Sequence, residues 1–495
     1  MNKDYILCRL KFFDDEDTEF ECDPYYLGDL SIKGKVGGDE LTLQTVDRLN
    51  HWVATYEGIC RRDDLSLLGR HLYVLAFGSG KTKTAFENCY DHLRDEKRKG
   101  KDVGLKLYLE FYPEVKVLST LPWEFLYMPL QKDDGRFLAG EETELILTRF
   151  VPEKEAELIA EKGKEKLRIL VVLSQPAELD NVTAASLINS LNKAAHVQVE
   201  LLERPTRSSL EAKIKTFNPH ILHFIGHGDS GKLALIQDEA ILAEARAENE
   251  LLKTMGKKEN QVAEADWVDS KALRGFINDK QLKVVFLHAC KGESTVYLDR
   301  SIQSFNSTAR DLAYNTSIPA VIAMQYEISN DAAETFATSF YQQIREGRSI
   351  DEAVTLARNI LGKKSFLPNR QTWDDRSFGT PVIYLQTRGH IIDPPPPETT
   401  KDETGVLPDA DRLAPPAKQP CPYGDCPGLV AFGSKFCGTC RRRIIVCTSC
   451  KMRMVAEEDP FCDECGFDPG NVGTARETAV METPGLPSTS VAGIT

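Results

Sequence analysis

At 495 residues the chain exceeds one ordinary domain, and a hydrophobic content of 41% is enough for packed cores. A formal net charge of −14 argues against a chain-wide surface for nucleic acid or anionic membranes. No apolar run reaches the roughly 18 residues that cross a bilayer, and the acidic N-terminus does not fit a signal peptide. We therefore expect a cytoplasmic protein without a membrane partner.

Residues 1–160 are predicted to form the N-terminal α/β part of the main module. β-Forming segments broken by glycines, such as 5–13 and 40–46, predict strands over the first 60 residues. The apolar segment 71–77 predicts a further strand, and Trp123 and Phe125 are expected to be core residues. Four cysteines here share no metal-ligand spacing and are predicted to be ordinary core or surface residues: Cys8, Cys22, Cys60 and Cys89.

The sequence GSGKT at 78–82 is similar to part of a phosphate-binding loop. The full loop needs a further glycine five positions before the Gly-Lys pair, so that consecutive backbone N–H groups surround the phosphates. Leu75 occupies that position. A nucleotide-dependent switch that uses Lys81 and Thr82 is therefore the less favoured alternative, and a polar turn before a helix is the simpler interpretation.

From residue 161 to 392 the pattern becomes a regular alternation of strands and helices. Short apolar, β-branched runs predict strands, and the segments between them have the helical spacing of apolar residues. Such an alternation is typical of an α/β fold with a mostly parallel sheet covered by helices on both faces. The predicted strands are 168–174, 197–202, 220–225, 284–287, 318–324 and 380–385.

Two of these strands end at residues with catalytic potential. His227 lies between two glycines after one strand, and Cys290 follows another. The carboxyl ends of parallel strands meet at one edge of a sheet, so the sequence predicts a nucleophile–base pair there. His223 and His288 are alternative histidines, of which His223 is expected to be packed inside the sheet.

The segment 239–268 separates these two strands and is charged and helix-prone. The simpler interpretation is an exposed helix followed by a loop. The alternative is a regulatory or self-cleaved segment, in which Lys253, Lys257 and Lys258 would be exposed targets.

Residues 393–420 are proline-rich and polar, as in an extended linker, and residues 469–495 are predicted to be a disordered tail. Between them, residues 421–468 contain eight cysteines in pairs, which predicts a double zinc ribbon with two structural Zn²⁺ sites. Sequential pairing assigns four ligands to each site. The first set is Cys421, Cys426, Cys437 and Cys440, and the second is Cys447, Cys450, Cys462 and Cys465.

The charged residues of the predicted zinc module bear on what kind of partner it binds. Arg441, Arg442 and Arg443 form a local basic patch that could contact nucleic acid. The module as a whole carries six Lys or Arg against seven Asp or Glu, and tetrathiolate zinc adds negative charge. This near-equal number of positive and negative charges favours a protein partner over nucleic acid.

Several sequence blocks resemble one family. HACKG, with a histidine 63 positions before its cysteine, is similar to the caspase-like signature. LPWEFLY, ILHFIGHG, VVFLHAC, SIPAVIAMQYEISNDAAETFATSFYQQIREG and SIDEAVTLAR occur in the order typical of CHAT domains. Over residues 65–390 the chain is identified as a member of the CHAT family of caspase-like cysteine peptidases.

The resemblance implies a caspase-like fold and a cysteine endopeptidase with no catalytic cofactor. His227 and Cys290 would be the catalytic dyad, and the N–H groups of Gly228 and Cys290 would form the oxyanion hole. His288, Asp229 and Glu327 are candidates for the substrate pocket. The family implies a protein substrate, an activating protein partner and a role in microbial defence, including antiviral defence, or cell death. A catalytically silent interaction protein with the same fold is the alternative.

Overall fold

The structure is a computed structural model. It describes residues 3–22, 30–56, 58–78, 80–130, 135–141, 144–152, 166–179, 184–192, 196–229, 231–258, 260, 262–277, 282–289, 305–365, 374–388, 391–392, 418–423, 426, 428–431, 434–446 and 454–456. The chain divides into two compact units, Met1–Glu398 and Thr399–Thr495. The finer domain boundaries expected from the sequence stay predictions.

The first unit contains strands and helices that alternate along the chain. Its strands are β1 (Asp4–Phe12), β2 (Asp17–Cys22), β3 (Leu30–Lys35), β4 (Val103–Phe111), β5 (Tyr127–Met128), β6 (Arg136–Phe137), β7 (Leu145–Phe150), β8 (Leu167–Leu173), β9 (Val197–Glu203), β10 (Ile221–Gly226), β11 (Gly228–Asp229), β12 (Lys232–Ile236), β13 (Ala265–Asp269), β14 (Val284–Ala289), β15 (Ala320–Met324) and β16 (Pro381–Leu385). Its helices are α1 (Glu40–Thr55), α2 (Arg62–Phe77), α3 (Lys81–Arg98), α4 (Ala185–Asn192), α5 (Arg207–Phe217), α6 (Glu239–Thr254), α7 (Ser270–Ile277), α8 (Asn306–Asn315), α9 (Asn330–Arg345) and α10 (Ile350–Ser365).

One large sheet organises this unit. In the described part of the chain it has eleven strands in the order β3-β2-β1-β4-β7-β16-β15-β14-β10-β8-β9. Neighbours are parallel except where β2 joins β1 and β3 and where β16 joins β15. The mostly parallel sheet flanked by helices that the sequence predicts is therefore confirmed. β8, β10, β14 and β15 run in the same direction, so their carboxyl ends lie at one edge.

The central strands are apolar because helices cover them. β10 and β15 are buried along their whole length, as expected for strands enclosed on both faces. On one face the ring of Phe286 meets Phe336 and Phe340 of α9 edge to face, with ring centroids 5.8 and 5.7 Å apart. Trp123 and Phe125 are fully buried, which confirms both as core residues.

Three predictions of secondary structure are wrong. Residues 40–46 and 71–77 belong to helices α1 and α2 rather than to strands. In α2 the buried Leu65, Leu68 and Leu72 recur at helical spacing, and this longer pattern outweighs the short apolar run that suggested a strand. The strand β13 was expected to be part of a loop, but it pairs with β12 in a separate three-stranded sheet. None of the described helices combines the length and apolarity required to cross a membrane.

The second unit is described only in part. It contains two short antiparallel ribbons, one of β17 (Lys418–Pro420) with β18 (Leu429–Ala431), and one of β19 (Ile444–Val446) with β20 (Met454–Ala456). In the first cysteine set, Cys421 and Cys426 lie between β17 and β18, and Cys437 and Cys440 lie between β18 and β19.

Candidate functional site

The residues that precede the proposed catalytic pair are neighbours in the central sheet. β10 and β14 are parallel, and their last residues, Gly226 and Ala289, are paired in register. His227 is the next residue after β10 and is partly exposed. Cys290 follows Ala289 in the sequence and, with residues 291–304, lies outside the described residues. The structure therefore gives the position of His227 and of the strand that ends one residue before Cys290.

The pairing of β11 with β12 determines the direction of the Gly228 N–H group. Gly228 is opposite Leu233 in the antiparallel pair of β11 and β12, and the N–H of Ala234 donates to the carbonyl of His227 at 3.0 Å. Opposed residues in an antiparallel ladder alternate between hydrogen-bonded and non-hydrogen-bonded pairs. His227 and Ala234 form a hydrogen-bonded pair, so Gly228 and Leu233 do not bond to each other. The N–H of Gly228 is therefore directed away from β12.

Phe305 packs against the same glycine. A Cβ placed on Gly228 would lie 2.1 Å from Cε1 of Phe305, so only glycine allows this approach. Phe305 is fully buried and precedes α8. The chain before residue 290 and the chain after residue 304 are therefore both anchored beside the turn that follows His227.

Helix α8 also holds the other end of this turn. Gly231 has a φ of 78°, a conformation that favours glycine, and its carbonyl accepts a hydrogen bond from Oγ1 of Thr308 at 2.6 Å. A Cβ on Gly231 would meet Oγ of Ser307 at 2.6 Å. Gly228 is therefore held by packing against Phe305, and Gly231 is held by its hydrogen bond from Thr308.

Behind the strand ends lies a buried pair of histidines. Nε2 of His223 is 3.3 Å from Nδ1 of His288, and Nδ1 of His223 is 3.0 Å from the hydroxyl of Tyr341. His223 is packed inside the sheet, as expected, and stacks on Phe286 with ring centroids 4.1 Å apart. Burial lowers the pKa of His223 well below its usual value and lowers the pKa of His288 to about 4. Both rings are therefore neutral at pH 7.

The three pocket candidates have different environments. Glu327 is exposed and lies just beyond β15, whose carboxyl end is beside that of β14. Asp229 belongs to β11, and its side chain lies outside the described atoms. His288 is 4% exposed, and its Nε2 has no hydrogen-bond partner among the described residues. As pocket residues all three stay predictions.

A buried ion cluster near the sheet was not predicted from the sequence. Glu124 accepts two hydrogen bonds from Arg149, at 3.0 and 2.7 Å, and one from Nε2 of Gln325 at 3.0 Å. Arg358 lies 3.7 Å from the same carboxylate, and burial lowers its pKa to about 10. Burial alone would raise the pKa of Glu124, but the charge of Arg149 and its hydrogen bonds outweigh it, and the pKa lies below its usual value. The one signal in the sequence was a glutamate inside the otherwise apolar LPWEFLY.

The cluster joins the LPWEFLY segment to three strands. Arg149 lies on β7, and Arg358 donates to the carbonyl of Pro381 on β16. Gln325 directly follows β15 and also donates to the carbonyl of Gly379 at 2.6 Å. Gln325 is two residues before Glu327, so this cluster supports the same sheet edge as the candidate site.

The four cysteines of the first predicted zinc site lie close together. The Sγ atoms of Cys421, Cys426, Cys437 and Cys440 all lie within 4.8 Å of one another. The Cys421–Cys440 and Cys426–Cys437 sulfur pairs are each 3.7 Å apart. A tetrahedron of Zn–S bonds of about 2.3 Å has sulfurs about 3.8 Å apart, so the donor set and spacing fit a metal ion. The second set lies outside the described residues: Cys447, Cys450, Cys462 and Cys465.

The GSGKT segment lacks the context of a phosphate-binding loop. Gly80 precedes α3, but the element before it is helix α2, which ends at Phe77, and not a strand. Thr82 is buried, so its hydroxyl is not presented to solvent. The strand–loop–helix arrangement on which the nucleotide-switch alternative depended is absent from residues 62–98 as described.

The exposed helix predicted between β10 and β14 is present. It is α6, and its charged side chains face solvent. Lys253, Lys257 and Lys258 are exposed, as expected for any of them to be a cleavage target. Cleavage itself stays a prediction.

One model of a protein family matches the chain. The family model described as CHAT domain matches residues 87–373, more than half of the chain. No curated protein sequence matches the chain.

Similar solved structures share little sequence with the chain. The separase–securin complex of Saccharomyces cerevisiae at 3.0 Å resolution has a TM-score of 0.31 and 13% identity, over 70% of this chain and 22% of that chain. The arginine-specific cysteine proteinase gingipain R has a TM-score of 0.34 and 11% identity, over 70% of this chain and 76% of that chain. The complex of Porphyromonas gingivalis RgpB pro- and mature domains has a TM-score of 0.35 and 10% identity, over 72% and 80%. On its match to the family model, the chain belongs to the CHAT domain family.

Proposed function

We propose that this protein is a cysteine endopeptidase in which Cys290 is the nucleophile and His227 is the general base. The observation that carries the proposal is the register of β10 and β14. Gly226 pairs with Ala289, and each directly precedes one member of the dyad. Consecutive Cα atoms are about 3.8 Å apart, so the two residues start from neighbouring points at one sheet edge.

The reaction follows from these two groups. The Cys290 thiolate attacks the carbonyl carbon of a peptide bond and forms a C–S bond, while His227 holds the thiol proton. His227 then gives that proton to the leaving amine as the C–N bond breaks. Water, activated by the same imidazole, hydrolyses the thioester and restores the thiol. No cofactor takes part in these reaction steps.

Oxyanion stabilisation is assigned to two backbone N–H groups. The N–H of Gly228 is directed away from β12, which supports its role as one donor. The N–H of Cys290 is the proposed second donor. Loss of one such donor costs about 3 kcal/mol of transition-state stabilisation in other enzymes.

The proposed substrate is a protein with a basic residue before the scissile bond. Glu327 is exposed beyond the neighbouring strand, and Asp229 follows Gly228 directly, so two carboxylates would favour a cation there. His288 is the third proposed pocket residue. Its low pKa keeps it neutral, so it would not repel a basic side chain.

Regulation and biological role are proposed from the family. An activating protein partner would release a latent peptidase in a cytoplasmic microbial defence or cell-death response. We propose that the zinc module of residues 421–468 recruits that partner, with one structural zinc in each cysteine set. The thiolate donors leave no open position at such a site, so its role is structural rather than catalytic.

A thiol-reactive peptide probe tests the dyad directly. The probe carries a basic residue before its electrophile and is incubated at pH 7 with wild type, Cys290→Ala, His227→Ala and Cys60→Ala. Labelling of wild type and Cys60→Ala, with loss in the other two, would support the peptidase. Labelling that is unchanged in Cys290→Ala would refute it and favour the catalytically silent interaction protein.

A further inference from the structure

Three cysteines from distant parts of the sequence converge inside the first unit. Sγ of Cys22 lies 3.8 Å from that of Cys8 and 3.3 Å from that of Cys89, and all three sulfurs are within 4.8 Å of one another. All three side chains are buried. We refer to Cys8, Cys22 and Cys89 as the thiol cluster.

The fold brings these residues together in a simple way. Cys8 on β1 and Cys22 on β2 are directly opposite in the antiparallel register, on the buried face of both strands. Helix α3 covers that face and presents Cys89 on the same side as the buried Phe86 and Leu93. The three donors therefore come from three elements that are held by the surrounding core.

The distances between the sulfur atoms match three thiolates bound to one ion better than they match a disulfide. Thiolates bound to one ion at about 2.3 Å lie about 3.8–4.0 Å apart, whereas bonded sulfurs are about 2.05 Å apart. Directly opposed residues in an antiparallel pair have Cβ atoms about 4.5–5.5 Å apart, which is wide for a disulfide. The Cys8–Cys22 distance of 3.8 Å is already at the value for ligation, and the Cys22–Cys89 distance of 3.3 Å needs a small opening.

The donor chemistry selects the class of ion. In the described residues the group consists of thiols alone, with no histidine or carboxylate among its members. Soft thiolates select thiophilic ions such as Cu(I) and Zn(II) over Mg²⁺, Ca²⁺ or Mn²⁺. Cys60 is also fully buried but is not part of the cluster, so it represents the ordinary buried cysteine.

We propose that the thiol cluster is a metal site that takes a thiophilic d¹⁰ ion, Cu(I) or Zn(II), and ties β1 and β2 to α3. Binding replaces the thiol protons by the ion and forms three metal–sulfur bonds. Since such a site exists only in the folded chain, the binding free energy also stabilises this part of the unit. Its proposed ligands are different residues from the cysteine sets of residues 421–465 and from the proposed dyad.

Native mass spectrometry of the full chain tests this site. Protein kept reduced is loaded with Cu(I) or with Zn(II), and the number of ions per chain is compared among variants. Cys22→Ala and Cys89→Ala should each bind one ion fewer than wild type, whereas Cys60→Ala should match wild type. The ion whose count falls identifies the metal. Equal counts in wild type and both cluster variants would overturn the proposal.

A second variant keeps the cluster itself intact. Changing Cys421, Cys437, Cys447 and Cys462 together to serine disables both C-terminal sets and leaves the first unit unchanged. This chain should retain one thiol-bound ion, and retention of none would contradict the proposal even if the alanine variants misfold. A Cys22–Cys89 disulfide found by peptide mapping of the untreated protein would also overturn it.

Discussion

Gly226 and Ala289 are paired at the ends of two adjacent parallel strands, and each is followed by one member of the proposed dyad. This relationship converts a separation of 63 residues in sequence into adjacency at one sheet edge. Parallel neighbours cannot be joined by a tight turn, so a long connection separates these two strands in the sequence. A crossover connection through α6, β13 and α7 is needed before the parallel partner strand can begin.

The contact between Gly228 and Phe305 predicts that Gly228→Ala lowers both stability and activity. The new methyl group would overlap the Phe305 ring, and overpacking of this kind costs about 1–3 kcal/mol. The free energy of unfolding in urea and the rate of probe labelling measure the two effects. Gly275→Ala is the matched control, because a Cβ on Gly275 in α7 meets no atom within 4 Å. Equal losses in both variants would contradict the argument.

The Glu124 cluster predicts a large loss of stability in Glu124→Gln. Arg149 and Arg358 would then remain buried without their anion, and breaking a buried ion pair costs about 3–5 kcal/mol. Chemical denaturation at pH 7 measures the change. The surface pair of Glu211 and Lys215 provides the control, since Glu211→Gln should cost about 0.5 kcal/mol or less. A loss below about 1 kcal/mol for Glu124→Gln would show that the cluster is not an essential support.

The buried histidines predict that stability falls as the pH drops below about 6.5. His288 has a pKa of about 4 in the folded protein and 6.5 in the unfolded chain, so the unfolded chain binds more protons between these values. The loss from His288 alone is about 2 kcal/mol at pH 5. Unfolding free energies measured from pH 7 to pH 5 should decline less steeply in His288→Asn than in wild type. Exposed His51 supplies the control variant, His51→Asn, and an unchanged slope in His288→Asn would refute the assignment.

The first cysteine set predicts a specific loss of metal. Cys437→Ser should lower the zinc content by one ion per chain relative to wild type, because three thiolates would remain of the four that lie within 4.8 Å. Atomic emission analysis of protein purified without chelator measures this content. Cys60→Ser should keep the wild-type value. A zinc content that does not fall in Cys437→Ser would contradict the assignment of this set as a metal site.

The sequence was most informative where a local pattern determines the structure. The apolar runs of β10, β14 and β15 could be recognised because helices enclose them, and the paired cysteines after residue 420 carry their own ligand spacing. Helix α2 was missed because its short segment 71–77 is apolar almost throughout, and only the longer 3.6-residue period distinguishes a helix.

Features assembled from distant residues could not be predicted in this way. Glu124 and Arg358 are separated by more than 200 positions and meet only because β7, β15 and β16 are adjacent. The thiol cluster likewise depends on the register of β1 with β2 and on the packing of α3. No spacing rule within a single segment relates these residues, so their chemistry becomes visible only in the fold.

N-terminal profiling of a host lysate treated with the full protein tests directly whether the chain is a peptidase that uses Cys290. Parallel samples receive wild type, Cys290→Ala or Cys60→Ala, and new protein N-termini are identified by mass spectrometry. We predict new termini with wild type and Cys60→Ala, predominantly after basic residues, and none with Cys290→Ala. The same new termini in the Cys290→Ala sample would contradict catalysis by this cysteine.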